Sequence, residues 1–380
     1  MTNQETSPLL PRTTSVSNPT DDSPPSENNT FTTLTNRTIS YARYGSPNPT
    51  SPTIIYLHGY PSSRYEASLL HHLALRHNPP VRIIAPDRPG FGLTSPTPNR
   101  TIADYATIDL LPLIEHLSLS RFSILGLSGG GPYALAAAAS TIPLLTPKVA
   151  GVGIACGAPH WSAQGPEGWA ALPWWSKVGY YAAFYTPWLL RGFTAACIAL
   201  VRLLAGQGWV QRRVDTALIA ARERRKKLVE DRSGEPAKDV AEEVELVVYV
   251  ALGEDSKEWS VSEQRESFVN QALEPFRQGT RAALEEFRIF CTEVGWGFKL
   301  QDVNWRGKQG EKVVMWHGTK DVNAPIECAR WMAEQIGSDG VELREYEGTH
   351  GEVVVRFEEM LDVLSRPLLD KANARDGSKS

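Results

Sequence analysis

The sequence predicts an α/β fold, a mostly parallel central sheet flanked by helices and broken once by a long helical insertion. Three observations point there. Short continuous apolar runs, the pattern of strands buried on both faces, alternate with segments of helical spacing. That alternation stops near Gly157 and resumes at Lys312. The composition, 42% hydrophobic and 22% charged over 380 residues, suits a soluble chain with one large domain and an insertion, or two modest domains.

Taken in order, residues 1–30 are rich in Ser, Thr, Pro and Asn and almost free of apolar side chains. They cannot bury enough surface to fold, and a flexible tail is expected. Residues 31–158 form the first part of the core. Phe31 to Leu34 and Thr38 to Tyr44 read as two strands joined by a turn at Asn36-Arg37. Thr53 to Leu57, Val81 to Pro86, Phe122 to Leu125 and Val149 to Ala155 are apolar runs of strand length. Glu66 to Arg76 has helical spacing. Thr101 to Leu117 is amphipathic, with Ile102, Tyr105, Ile108, Leu111 and Ile114 on its inner side.

Residues 159–305 are the insertion, aromatic at first and highly charged later, and read as a smaller helical domain over one edge of the core. Its most apolar stretch, Tyr180 to Ala205, is interrupted by Pro187, Arg191 and Arg202 and is short for a membrane span of about 20 residues. Buried or pocket-lining helices are expected there, and a membrane-surface helix is the lesser reading. The basic run after Ala221 is diluted by Glu223, Glu230 and Asp231 and reads as a solvated helix face. Residues 306–370 complete the core with a strand at Lys312 to Trp316, a helix at Pro325 to Ile336, a strand at Val341 to Tyr346 and a closing helix from Glu352. Residues 371–380 look like a second tail.

Charge and cysteines exclude several function classes. A net charge of −4 argues against a general nucleic-acid binder. Cys156, Cys197, Cys291 and Cys328 are far apart, with no Cys-x-x-Cys pair, so reduced thiols and no metal are expected. The N-terminus lacks a basic start followed by an apolar core, so a cytoplasmic location is expected, and the Asn28, Asn36 and Asn99 sequons carry little weight. Glu5 to Leu10 matches a short acidic dileucine pattern and is read as coincidence.

The chemistry centres on Gly126-Leu127-Ser128-Gly129-Gly130, set between an apolar strand and an Ala-rich helix. Glycines on both sides allow a tight turn that lifts Ser128 above the sheet. The turn also puts the Gly129 N–H at a helix start, where negative charge is favoured. A serine hydroxyl needs a base to take its proton. His350 lies in Glu347-Gly348-Thr349-His350-Gly351, after a strand and before the last helix, at the sheet's carboxyl end. The base needs an acid, and Asp321 lies in the loop after the preceding strand, although a capping role ahead of Pro325 is a second use for it. A second oxyanion donor is expected from His58-Gly59-Tyr60-Pro61, with Tyr60 offering its N–H and His58 bracing the loop. The order Ser128, Asp321, His350 is the one tied to the nucleophile elbow.

These pieces, with Asp87-Arg88-Pro89-Gly90-Phe91-Gly92, closely resemble the α/β-hydrolase superfamily over about residues 31 to 370. The insertion matches only in position and helical character. The His58-Gly59-Tyr60-Pro61 form is similar to the esterase, epoxide-hydrolase and haloperoxidase-like branch. Epoxide hydrolases and dehalogenases in that branch carry aspartate at the elbow, whereas this chain has Ser128, which argues for acyl chemistry. The resemblance implies the α/β-hydrolase fold with a helical lid (cap), an acyl-enzyme on Ser128, a small-molecule substrate and no cofactor. C–C bond hydrolysis, release of N-terminal residues and perhydrolysis share the same triad and stay open. So does a non-catalytic ligand-binding protein of the same fold, and so does a membrane-surface lipid hydrolase. Trp161, Trp169, Trp174, Trp175, Tyr180 and their neighbours either build the lid's own core or line an apolar pocket.

Overall fold

The computed structural model describes residues 26–139, 145–160, 166–232, 237–252, 260–303 and 311–376. One eight-stranded sheet organises the chain. Its strands are β1 (Ser26–Thr32), β2 (Thr38–Gly45), β3 (Thr53–Leu57), β4 (Arg82–Pro86), β5 (Phe122–Leu127), β6 (Val149–Ala155), β7 (Val313–Gly318) and β8 (Val341–Tyr346). They lie in the order β1-β2-β4-β3-β5-β6-β7-β8. β2 pairs antiparallel with β1 and β4, and the other five pairings are parallel.

The continuous apolar runs have a simple cause. Side chains alternate across a strand, and both faces of this sheet are covered. Ile55 and Leu57 of β3 pack on one side with Tyr133 and Ile124. Ile54 and Tyr56 pack on the other with Leu70, Leu361 and Leu364. The covering helices of the core's first part are α1 (His71–Arg76), α2 (Ile102–Tyr105), α3 (Leu111–His116) and α4 (Gly131–Ala138). A π-helical turn, Ala106–Leu110, joins α2 to α3.

The insertion contributes α5 (Pro166–Ala171), α6 (Trp174–Tyr185), α7 (Pro187–Ala205), α8 (Gly208–Arg232), α9 (Val240–Ala251), α10 (Val261–Leu273), α11 (Arg281–Phe290) and α12 (Glu293–Trp296). The core then closes with α13 (Ile326–Ile336) and α14 (Phe357–Asp376).

Several expectations need correction. β1 starts at Ser26, so a boundary at residue 30 falls inside a strand. Its alternating exposed and half-buried residues make an edge strand that composition hides. The last helix runs to Asp376, past the boundary at residue 371. α7 is largely exposed rather than buried, and Ile198 is its one buried residue. Within the Glu66 to Arg76 segment His72 is buried, and His71 Nδ1 accepts the Gly45 N–H at 3.0 Å. Residues 1–25, with the dileucine-like segment, and 377–380, Trp161 and Trp305 lie outside the described residues.

Candidate active site

Ser128 stands at the end of β5, on the turn into α4, with φ of +49°. That left-handed conformation is strained for a serine and is held by close packing on both sides. A Cβ at Gly126 would overlap the Gly130 carbonyl, and one at Gly130 would overlap the Leu57 carbonyl of β3. Only glycine fits either position, which is why the elbow can rise so steeply from the sheet.

The structure brings Ser128, His350 and Asp321 together. Ser128 Oγ lies 3.0 Å from His350 Nε2. On the other side of the ring, Nδ1 donates to Asp321 Oδ2 at 2.7 Å. With Nδ1 carrying the proton, Nε2 is the lone-pair nitrogen facing the hydroxyl. Asp321 also serves its local turn. Its Oδ1 accepts the N–H groups of Asn323 and Ala324, both at 2.9 Å. One oxygen thus serves the turn and the other faces His350. Burial alone would push the Asp321 carboxyl up. The His350 hydrogen bond and charge, with the Ala324 N–H, outweigh it and hold the group below the ordinary carboxylate value.

Tyr60 and Gly129 line the same cavity as Ser128 and His350, a space of about 380 Å³. The loops carrying them touch, since a Cβ on Gly129 would sit 2.7 Å from Tyr60 Cβ and 3.1 Å from Tyr60 N. His58 braces its loop as expected. It is fully buried, Nδ1 faces the Gly59 carbonyl at 2.9 Å, and Nε2 accepts the Arg88 N–H at 3.2 Å. Burial, then the neighbouring Arg88 charge, holds its imidazole well below the ordinary value, so it stays neutral. The remaining cavity wall is mostly apolar and comes largely from the insertion, with Trp169, Leu172, Tyr180, Phe287 and Phe290, and Ser176 and Asn323 add polar groups. Trp174, Trp175, Tyr181, Tyr185 and Trp188 are instead exposed.

Two supporting groups escaped sequence reading. Glu66 is half-buried beside the Tyr60 loop, and its Oε2 accepts the Gly59 N–H at 2.5 Å. Desolvation pushes its carboxyl up to about 7, against the opposing Gly59 hydrogen bond. The spacing Ser63-x-x-Glu66 looks like a capping box and so conceals this role. Glu286 of α11 is also fully buried. It takes Arg88 Nε at 2.8 Å and Nη2 at 2.9 Å, Arg100 Nη2 at 3.2 Å and the Tyr133 hydroxyl at 2.7 Å. Arg88 in turn donates to the carbonyls of His58 and Gly59. The one signal for this cluster was Arg88, within the Asp87 to Gly92 motif.

Cys156 follows β6 with φ of +46°, and its sulfur lies 3.2 Å from the Tyr346 hydroxyl. Among the described residues, Cys156, Asp321 and His350 form a group spaced for a metal ion, their ligand atoms within 4.8 Å of one another. The donor set does not fit one. Asp321 and His350 are bonded to each other, His350 Nε2 faces Ser128, and the Cys156 sulfur lies against the Tyr346 hydroxyl, so the lone pairs an ion would take are already engaged.

The family model described as "Alpha/beta hydrolase family" matches residues 54–362. Among curated proteins none matches the sequence. Solved structures of similar fold include a carboxylesterase from Nitrososphaera gargenis, 18% identical, covering 91% of this chain and 100% of that one at a TM-score of 0.49. An alpha/beta hydrolase fold protein from Nakamurella multipartita is also 18% identical, with coverage of 89% and 99% and a TM-score of 0.50. An esterase from Exiguobacterium antarcticum is 18% identical, with coverage of 91% and 99% and a TM-score of 0.46.

Proposed function

The chain belongs to the alpha/beta hydrolase family, and from that premise we propose that it is a serine hydrolase cleaving a carboxylic ester of a small apolar substrate through an acyl-enzyme on Ser128. The observation that carries this reading is the unbroken run from Ser128 Oγ through His350 to Asp321, at 3.0 Å and 2.7 Å, opening into an apolar cavity.

The roles follow from the groups present. Ser128 Oγ attacks the ester carbonyl as His350 Nε2 takes its proton. Asp321 keeps Nδ1 protonated and stabilises the imidazolium. The N–H groups of Tyr60 and Gly129 receive the oxyanion, held by a loop that Arg88 and Glu66 fix from behind. The imidazolium then protonates the departing alcohol, and His350 activates water to release the acid. Trp169, Leu172, Tyr180 and Phe290 favour an apolar acyl or aryl group over a charged one.

A fluorophosphonate probe tests the nucleophile. The wild-type chain should be labelled, and Ser128→Ala should not be. Hydrolysis of p-nitrophenyl esters should fall by several powers of ten in the same variant. A folded wild type that is neither labelled nor active on esters of any chain length would overturn the reading.

A further inference from the structure

The outer face of the insertion is apolar where a water-exposed surface is ordinarily mixed. α7 has a mean hydropathy of 1.6 in its most apolar window, of which 6% is buried. Trp188, Leu189, Phe193, Leu200 and Leu203 are all exposed, Trp188 by 73% and Phe193 by 66%. Tyr181 and Tyr185 of α6 extend the same character, together with the exposed pair Trp174 and Trp175 at the start of that helix. A patch of this kind marks an interaction surface.

Charge and topology say what kind. Between Glu167 and Asp215 the chain has no acidic residue, yet it carries Lys177, Arg212 and Arg213, and also Arg191 and Arg202, which line an open space with Phe276 and Thr280 on the other side of α7. A two-fold contact with a second copy would set this patch against itself and bring cation to cation. An anionic surface complements it. α7 is long enough to cross a bilayer, but the sheet forbids that. β6 precedes the insertion, β7 follows it, and the two are paired in one sheet. A single crossing between them would put adjacent strands on opposite sides of the membrane. What suits the observations is a helix lying in the interface, apolar side chains inserted, Trp and Tyr at headgroup depth and cations at its flanks.

We propose that the α6–α7 face docks on the surface of an anionic lipid bilayer. The hairpin has its other side on the cavity. Ser176 and Tyr180 of α6 line the space around Ser128, and Leu190 and Thr194 of α7 line an adjoining space with Tyr60. A docked bilayer would therefore lie about one helix diameter, roughly 10 Å, from the cavity wall. Docking itself does not depend on Ser128 chemistry, and it is read without any substrate.

The test uses the full chain and vesicles of phosphatidylcholine, alone or mixed with phosphatidylserine. The chain should co-sediment with the mixed vesicles and be released by high salt. The triple substitution Trp188→Ala, Phe193→Ala, Leu200→Ala should weaken partitioning by roughly tenfold or more. Lys177→Glu alone should weaken it by a smaller factor. Leu34→Ala, an equally exposed side chain on the β1–β2 turn, should leave it unchanged. Circular dichroism of each variant should match the wild type, since Trp188, Phe193, Leu200 and Leu34 are exposed and Lys177 is only half-buried. Wild type that stays in the supernatant with both vesicle types would overturn the proposal. So would binding that the triple substitution does not change. A dimer in light scattering that the triple substitution dissociates, without vesicle binding, would assign the face to a second copy instead.

Discussion

Glu66 is a carboxyl whose charge opposes folding. Burial lifts it from an ordinary 4.5 to about 7. Between those two values the native chain holds a proton that the unfolded chain has released. Stability is therefore lost as pH rises through that window, by about 1.4 kcal/mol per pH unit for this group. Glu66→Gln removes the titration while keeping an acceptor for the Gly59 N–H. Relative to that variant, the wild type should lose about 3 kcal/mol between pH 4.5 and 7 in urea unfolding, and a difference that is flat with pH would refute the assignment. Gly129 offers a second residue-scale outcome. Its φ is not in the left-handed region, so Ala is allowed there conformationally, but the added methyl meets Tyr60 Cβ at 2.7 Å and Phe290 Cζ at 3.3 Å. The Tyr60 loop must move. Gly129→Ala should fold normally and lose on the order of a hundredfold in kcat on a p-nitrophenyl ester, the cost of one misplaced oxyanion donor. At this scale Ser128, Asp321 and His350 were legible because each sits on a loop at a strand's carboxyl end, two of them flanked by glycine. Glu66 and Glu286 were not. A single carboxylate in a helical segment reads as solvent-facing until the tertiary structure buries it.

The strands of the sheet were readable for a reason that the helices do not share. A run such as Ile54–Leu57 is buried on both faces, so polar side chains are nearly absent and the run has sharp ends. A helix of the insertion carries no such constraint. Tyr180 to Ala205 is the most apolar stretch of the insertion, and hydropathy alone does not say whether protein, lipid or a partner covers it. The structure separates the two sides of α6. Ser176 and Tyr180 face the cavity, while Tyr181 and Tyr185 are exposed. That difference gives an element-scale outcome for the proposed esterase. Tyr180→Ala should enlarge the acyl site and shift kcat/KM toward longer p-nitrophenyl esters by roughly tenfold relative to acetate, as expected for exposing or filling one to two kcal/mol of apolar contact. Tyr185→Ala, one turn further along the exposed side, should leave the chain-length profile where it is. Equal shifts in both variants would mean that α6 sets specificity some other way.

At the scale of the molecule, the insertion is not a loose lid but a part fastened to the core by buried ion pairs. Arg64 of the core, bound to Asp87 at 2.6 Å, reaches Glu274 between α10 and α11 at 2.8 Å. Glu286 of α11 receives Arg88 and Arg100 from one side and the Tyr133 hydroxyl from α4 on the other. The same carboxylate thus links the insertion, the loop of Tyr60 and the helix that begins at Ser128. Two opposing physical effects decide its own energetics. Desolvation pushes Glu286 up, and the charges and hydrogen bonds of Arg88 and Arg100 more than offset it, leaving the group at about 2. A depressed carboxylate contributes stability that is complete above its unfolded value of 4.5 and is lost as pH falls through about 2. Glu286→Gln keeps the shape and removes the charge, leaving two buried guanidinium groups without their anion. Breaking such a pair costs about 3–5 kcal/mol. The variant should therefore unfold at lower urea at pH 7, and its stability should lack the component that the wild type loses between pH 4.5 and 2. Because Arg88 holds the His58 and Gly59 carbonyls, the folded fraction of the variant should also turn over esters more slowly, with kcat affected more than KM. A variant as stable as wild type at neutral pH would show that the Glu286 charge does not fasten the insertion and serves only to place the loop.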